Sequence, residues 1–152
     1  MKTWQRRILG ILTLGGGAVG FTVAASLLTT LSGMNAVLCV AIIALYAWGV
    51  WCGIKMLECQ PGWEGPAIGY WMAQIPAFGS PLLGYFVSSG FHVTTTMQFS
   101  PWQFDINFLV GSTFSYSFMH PEQPWLVGVN LFALAVVMWL MRSRRQTAQT
   151  AA

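Results

Sequence analysis

The sequence predicts a single polytopic membrane domain over residues 1–152. Its fold class is α-helical, with four transmembrane helices and both termini in the cytoplasm. A three-stranded antiparallel β-meander is expected in the external loop between helices three and four. Three observations carry this reading. Charges are scarce: 7 Lys or Arg and 4 Asp or Glu make up 7% of 152 residues, where a soluble domain carries about 25%. The charges are also segregated, leaving residues 8–54, 65–104 (apart from His92) and 123–141 without any. Finally, residues 91–118 alternate apolar and polar side chains with period two.

With hydrophobic residues at 55% and mean hydropathy at +0.59, this composition excludes an ordinary cytosolic enzyme and a disordered chain. The sequence pI near 9.0 reflects a net charge of only +3, too small for a phosphate-reading surface, so no nucleic-acid partner is expected.

A membrane helix needs about 20 apolar residues. The first charge-free run holds two, about 8–31 and 36–56, separated by a turn at Leu31–Asn35 where Gly33 and Asn35 act as breakers. Val23-Ala24-Ala25 before Ser26 resembles a signal-peptide cleavage site. The apolar stretch continues past it into Leu27 and Leu28, which favours an uncleaved helix. Helix three is expected over about 66–87, with Pro66 in its first turn. Pro76, Gly79, Ser80 and Pro81 should kink or break it between Ile75 and Leu82. Helix four is expected over about 124–141, with Pro124 in its first turn and Arg142, Arg144 and Arg145 closing it.

Four helices place Lys2, Arg6, Arg7, Lys55, Arg142, Arg144 and Arg145 on one side. The positive-inside rule makes that side the cytoplasm. The predicted location is the plasma membrane (the inner membrane in a bacterium), with loop 88–123 external.

In the external segment, Phe91, Val93, Thr95, Met97 and Phe99 alternate with His92, Thr94, Thr96 and Gln98. Parity inverts after Ser100-Pro101, which an even-length hairpin loop requires. Phe99 should face Trp102, Met97 Phe104, Thr95 Ile106 and Val93 Phe108. A second turn at Val110-Gly111-Ser112 keeps parity, so Phe108 should face Phe114 and Phe104 should face Phe118. Phe104, Ile106 and Phe108 are expected on a buried face, so that Phe108→Asp unfolds the sheet while Asn107→Asp is mild. Thr94, Thr96, Gln103, Asp105, Asn107 and Ser115 then form an exposed face offered to a partner.

Reactive groups are few. Cys39, Cys52 and Cys59 form no Cys-x-x-Cys and none is expected outside, so no exported disulfide follows. His92 and His120 lie 28 residues apart without ligand spacing, so even with Met97 and Met119 nearby they make a poor copper site. Asp105 and Glu122 are not placed together by any motif. No catalytic, metal or cofactor residue is expected. Gln74 and Asn130 are the amides expected at depth. With Pro76 and Pro81 they are the candidates to line a polar path. Gly15, Gly16, Gly17 and Gly20 should permit close helix contact.

The function expected is that of a non-enzymatic accessory or scaffold subunit. Its partners would be membrane lipids and another membrane protein or a second copy of itself. The alternative is a small oligomeric transporter or channel whose broken third helix lines the path.

Overall fold

The structure, a computed structural model, describes residues 2–99, 101–119 and 121–150. Its elements are α1 (Thr3–Leu28), α2 (Gly33–Leu57), α3 (Glu64–Ala73), β1 (Pro76–Gly79), β2 (Leu83–Ser88), β3 (Phe91–Phe99), β4 (Trp102–Val110), β5 (Thr113–Phe118), β6 (Leu126–Asn130) and α4 (Leu131–Thr150).

Helices α1 and α2 form an antiparallel hairpin. Among the described residues only these two are long and apolar enough to cross a membrane. The expectation of four transmembrane helices with a three-stranded meander is therefore overturned: the described residues form four helices, two of them candidate spans, and one six-stranded antiparallel sheet. The hairpin is tight because glycine removes side chains from its seam. A Cβ on Gly17 would lie 2.9 Å from the Val50 backbone nitrogen, and one on Gly20 would sit inside the Tyr46 ring.

Helix three was expected over 66–87, but α3 ends at Ala73. Pro66 does lie in its first turn. The break falls where Pro76 and Pro81 predict it, yet the chain continues as β1 and β2 and does not resume a helix. The reason is local. Pro76 has no N–H for a helical bond, and Gly79, Ser80 and Pro81 turn the chain. Tyr85 then donates to the carbonyl of Ala73 at 2.8 Å, satisfying one of the acceptors left open at the end of α3. Helix four likewise begins at Leu131, not 124. Residues 126–130 pair as a strand with β1, Pro76 opposite Val129 and Phe78 opposite Val127. A short apolar run does not distinguish a buried strand from a helix, and Pro124 marks a loop before β6.

The sheet order is β4-β3-β6-β1-β2-β5. The β3–β4 register is the predicted one: Phe99 opposite Trp102, Met97 opposite Phe104, Thr95 opposite Ile106, Val93 opposite Phe108. Ser100, at the predicted tip, lies outside the described residues. The second pairing is corrected. β5 joins β2, with Phe114 opposite Val87 and Tyr116 opposite Tyr85. Parity determines which face a side chain takes, not which strand lies beside it. Beside β2, Phe114 and Tyr116 pack against the cluster of Ala24, Cys39, Ile42, Tyr46 and Val87.

Topology forces curvature. β4 and β5 are the two edges of the sheet, yet only residues 111 and 112 connect them. A flat sheet of six strands would separate its edges by about 24 Å. A two-residue link reaches at most about 11 Å. The sheet therefore curls into a cup whose floor is made by residues 89–90 and 111–112. Gly111 N–H donates to Gly90 O at 2.9 Å and Gly90 N–H to Ser112 Oγ at 3.3 Å, knitting the two links together. Gly90 (φ +79°) and Gly111 (φ +139°) adopt backbone there that other residues resist.

The floor rests at the middle of the hairpin. Ser112 Oγ donates to Gly16 O at 2.6 Å, and Tyr46 Oη lies 3.0 Å from both Ser88 O and Thr113 O. A Cβ on Gly16 would fall 2.6 Å from Gly90 N, so only glycine admits the floor. Two storeys result. The lower one packs Leu9, Cys52 and Met56 of the hairpin with Tyr70 and Trp71 of α3 and Val136, Val137 and Leu140 of α4. The upper one is the β-cup, leaning on the other half of the hairpin.

Candidate functional site

Strand parity dictates the character of the cup. On β3, His92 and Thr94 are buried while Val93 and Thr95 are only partly so. Opposite them on β4, Leu109 and Asn107 share the inner face. Phe104, Ile106 and Phe108 take the outer face, at 67%, 59% and 65% exposure. These aromatics were expected on a buried face. The curl points the polar row inward and the aromatic row outward, so the expected orientation is inverted.

The inner face encloses a cavity of about 350 Å³. Its polar lining comes from His92, Thr94, Thr96, Asn107, Ser115 and Gln123, with Phe86 as its inward aromatic ring. Small residues make the room: a Cβ on Gly84 would meet Ser117 Oγ at 2.4 Å, and one on Gly128 would meet Thr95 O at 2.6 Å. Near the floor, His92 Nδ1 lies 2.8 Å from Ser88 Oγ, and its ring meets Phe86 edge-on at 5.3 Å. Burial pushes the His92 imidazolium below its ordinary range, so the ring is neutral at pH 7. Thr94 Oγ1 is buried and has no hydrogen-bond partner. Gln123 anchors the upper rim through a hydrogen bond with Ser117.

The cup has a slit. β4 pairs only with β3, and β5 only with β2; among the described residues no ladder joins β4 to β5. Gln103, Asp105 and Asn107 on β4 and Ser115 on β5 are exposed. Asn107 Nδ2 donates to Asp105 Oδ2 at 3.2 Å across one lip.

Of the six residues expected to face a partner, Thr94, Thr96, Asn107 and Ser115 line the cavity, and Gln103 and Asp105 share the inner face of β4. The four candidate path residues behave differently, and none lines either of the two main cavities. Gln74 closes the end of α3, buried, with Nε2 donating to Tyr70 O at 3.3 Å. Asn130 is the last residue of β6, and its Oδ1 accepts the Ala133 N–H at 3.2 Å, which caps α4. Pro76 opens β1 and Pro81 lies in the β1–β2 turn.

Cys39 and Cys52 are buried and Cys59 is exposed beside Arg6. His120 lies outside the described residues. Among the described residues no group of three or more His, Cys, Asp or Glu comes together. Sequence reasoning missed Gly84, Phe86 and Gln123. The first two carry a faint signal in the alternation of Gly84, Tyr85, Phe86, Val87 and Ser88. Gln123 carries none.

Comparison with family models, with curated proteins and with solved structures finds no match. The chemistry of the site must be read from its own residues. Hydroxyls, amides and a neutral imidazole around an aromatic ring offer hydrogen bonds to an uncharged guest. A second cavity, of about 310 Å³, lies between α1 and α4. It is lined by Trp4, Ile8, Leu12, Phe132, Val136 and Trp139 among others, and is almost wholly apolar.

Proposed function

We propose that the chain is a non-enzymatic, multi-pass membrane protein, an accessory or scaffold subunit that presents the β-cup on the external side. One observation carries the reading: the β3–β4 wall of the cup turns its polar row inward and its apolar row outward, and the cup leans on the half of the hairpin opposite all seven basic residues. Lys2, Arg6 and Arg7 begin α1, Lys55 ends α2, and α4 descends beside them through Leu140 to Arg142, Arg144 and Arg145. That asymmetry supports a cytoplasmic basic end and an external cup mouth. Apolar-out, polar-in alternation is the pattern of strands facing lipid. Trp102 and Trp125, both exposed near the mouth, suit a membrane interface.

The outer wall of β3 and β4 supports the scaffold role. Met97, Phe99, Phe104, Ile106, Phe108 and Val127 form a broad apolar surface of the kind that contacts lipid or another membrane protein. Reporter insertion within 121–122 should read external, and fusions after residues 60 and 145 should read cytoplasmic. Crosslinking from a photoreactive residue at position 106 should capture a membrane protein or a second copy. An external reading after residue 60, or crosslinks to lipid alone, would refute the anchored-scaffold reading.

A further inference from the structure

We propose that the β-cup is a binding site for an uncharged, hydroxyl-rich group, sugar-like in chemistry, carried on a membrane amphiphile whose tail leaves through the slit between β4 and β5. The inference rests on the membrane placement above for the source of the ligand, and on the cavity alone for its chemistry.

The lining decides the chemistry. None of the residues that wall the cavity carries a formal charge: its polar side chains are the hydroxyls of Thr96, Thr113 and Ser115 and the amides of Asn107 and Gln123. A phosphate there would meet no Lys or Arg, and an uncompensated charge in an enclosed site is costly. All seven basic residues lie at the far end of the hairpin. An alkyl chain filling the cup would displace water from Thr96, Asn107 and Ser115 without replacing its hydrogen bonds. A polyol both donates and accepts, matching hydroxyls and amides that do the same. Phe86 supplies a ring for the apolar face of a sugar. At about 350 Å³ the cavity falls in the range of small-ligand sites, about 300–1,000 Å³.

The slit decides the route. Open sheet edges do not face hydrocarbon, because their N–H and C=O groups would go unpaired. The edges of β4 and β5 therefore belong beside water or a polar ligand, and an amphiphile would meet them with its headgroup and linker oxygens, its hydrocarbon beginning beyond the β4 edge. Immediately outside the β4 edge lie Phe104, Ile106 and Phe108, an apolar surface on which a lipid tail can rest. A headgroup in the cup with its tail on that wall satisfies both surfaces at once.

The test uses the full chain in phosphatidylcholine nanodiscs doped equally with a monoglucosyl diacylglycerol and phosphatidylglycerol. Native mass spectrometry reads which lipid stays bound. The glycolipid should be retained about tenfold over the phosphatidylglycerol, the equivalent of one or two well-made hydrogen bonds. Asn107→Leu should abolish that preference. Thr96→Val with Ser115→Ala, gentler for folding, should reduce it severalfold, and Phe104→Ala should leave headgroup preference intact. In a parallel arm, free methyl glucoside competing fully at millimolar concentration would support the sugar chemistry and assign it to a soluble source. Equal retention of the two lipids would overturn the proposal. So would a glycolipid preference unchanged by both cup variants, since the lipid would then sit in the apolar groove between α1 and α4. The anchored-scaffold reading fails independently, by reporter topology.

Discussion

The two storeys of this molecule share one helical hairpin and are held to it by different physics. Below, α3 and α4 bury large side chains against α1 and α2: Tyr70, Trp71, Met56 and Leu140 are all inaccessible. Above, the β-cup touches the hairpin through backbone and glycine, with Ser112 on Gly16 and Tyr46 bridging Ser88 and Thr113, and through a smaller cluster in which Val87, Phe114 and Tyr116 pack on Ala24, Ile42 and Tyr46. The lower storey is a side-chain core, tolerant of small backbone shifts and intolerant of lost volume. The upper storey tolerates lost volume on its inner face, where it lines a cavity, and fails where its backbone contacts or the Tyr46 cluster are disturbed. The same hairpin thus carries a packed base and a cavity-bearing cup.

The largest effect should come from the base. Trp71 packs edge-on to Tyr70 at 6.1 Å and to Phe132 at 5.7 Å, with no exposure. Trp71→Ala should cost about 3–5 kcal/mol, read as a shift in the SDS-titration midpoint of the detergent-solubilised protein. If the storeys are separable, cup ligand retention per folded molecule should survive this change; if it falls in step with stability, they form one cooperative unit.

Next comes the outer wall. Phe108→Asp was expected to unfold the sheet by exposing a buried face, but Phe108 is already 65% exposed, its ring meeting Phe91 edge-on at 5.0 Å. In water a charge there would cost little. In lipid the cost depends on depth, about 2–4 kcal/mol for Arg at the midplane and about 0–1 near the interface. Phe108 lies toward the cup floor and Trp102 at the mouth. Phe108→Arg should therefore destabilise the bilayer-reconstituted protein clearly more than Trp102→Arg. Equal small effects would mean that the wall faces water.

A smaller loss should follow from Gly20→Val. The added Cβ would lie 2.2 Å from the Tyr46 ring, whose hydroxyl holds the strand ends, and overpacking of this kind costs about 1–3 kcal/mol. Protease sensitivity should rise in the 89–90 and 111–112 links and not in α3–α4. Uniform sensitivity would deny the difference between storeys.

These contrasts explain what the residues reveal unaided. Alternation through Phe91–Val110 discloses the β3–β4 hairpin to the residue, because each pair is local and turn length fixes parity. The break at Pro76 is equally local. What the chain does after the break is not, since β1 acquires its strand character by pairing with β6, 53 residues away at Pro76 and Val129. The partner of β5 is hidden for the same reason: β2 and β4 both offer aromatic faces, and the Tyr46 cluster on α2 decides between them. Polar-in orientation needs the curl, and the curl needs the sheet order. The cup was therefore visible as a polar row and invisible as an enclosure.

The smallest effect tests the enclosure itself. His92 is the imidazole within the cup, next to Ser88 and Phe86 and 4% exposed. Burial holds its pKa in the folded state below the ordinary value of about 6.5. The unfolded chain therefore binds a proton at a pH where the folded chain refuses it. Stability from this group is complete above about pH 6.5, falls as pH drops through that value, and levels off once the folded-state pKa is passed. His92→Gln keeps polar volume and removes the titration. The difference in SDS-titration midpoint between pH 8 and pH 5 should thus be smaller in the variant than in the parent. An identical pH dependence would mean that water reaches the His92 ring freely and the cup floor is open. A steeper one in the variant would mean that protonated His92 is stabilised by an acceptor, and that the cup favours a cation instead of a neutral guest.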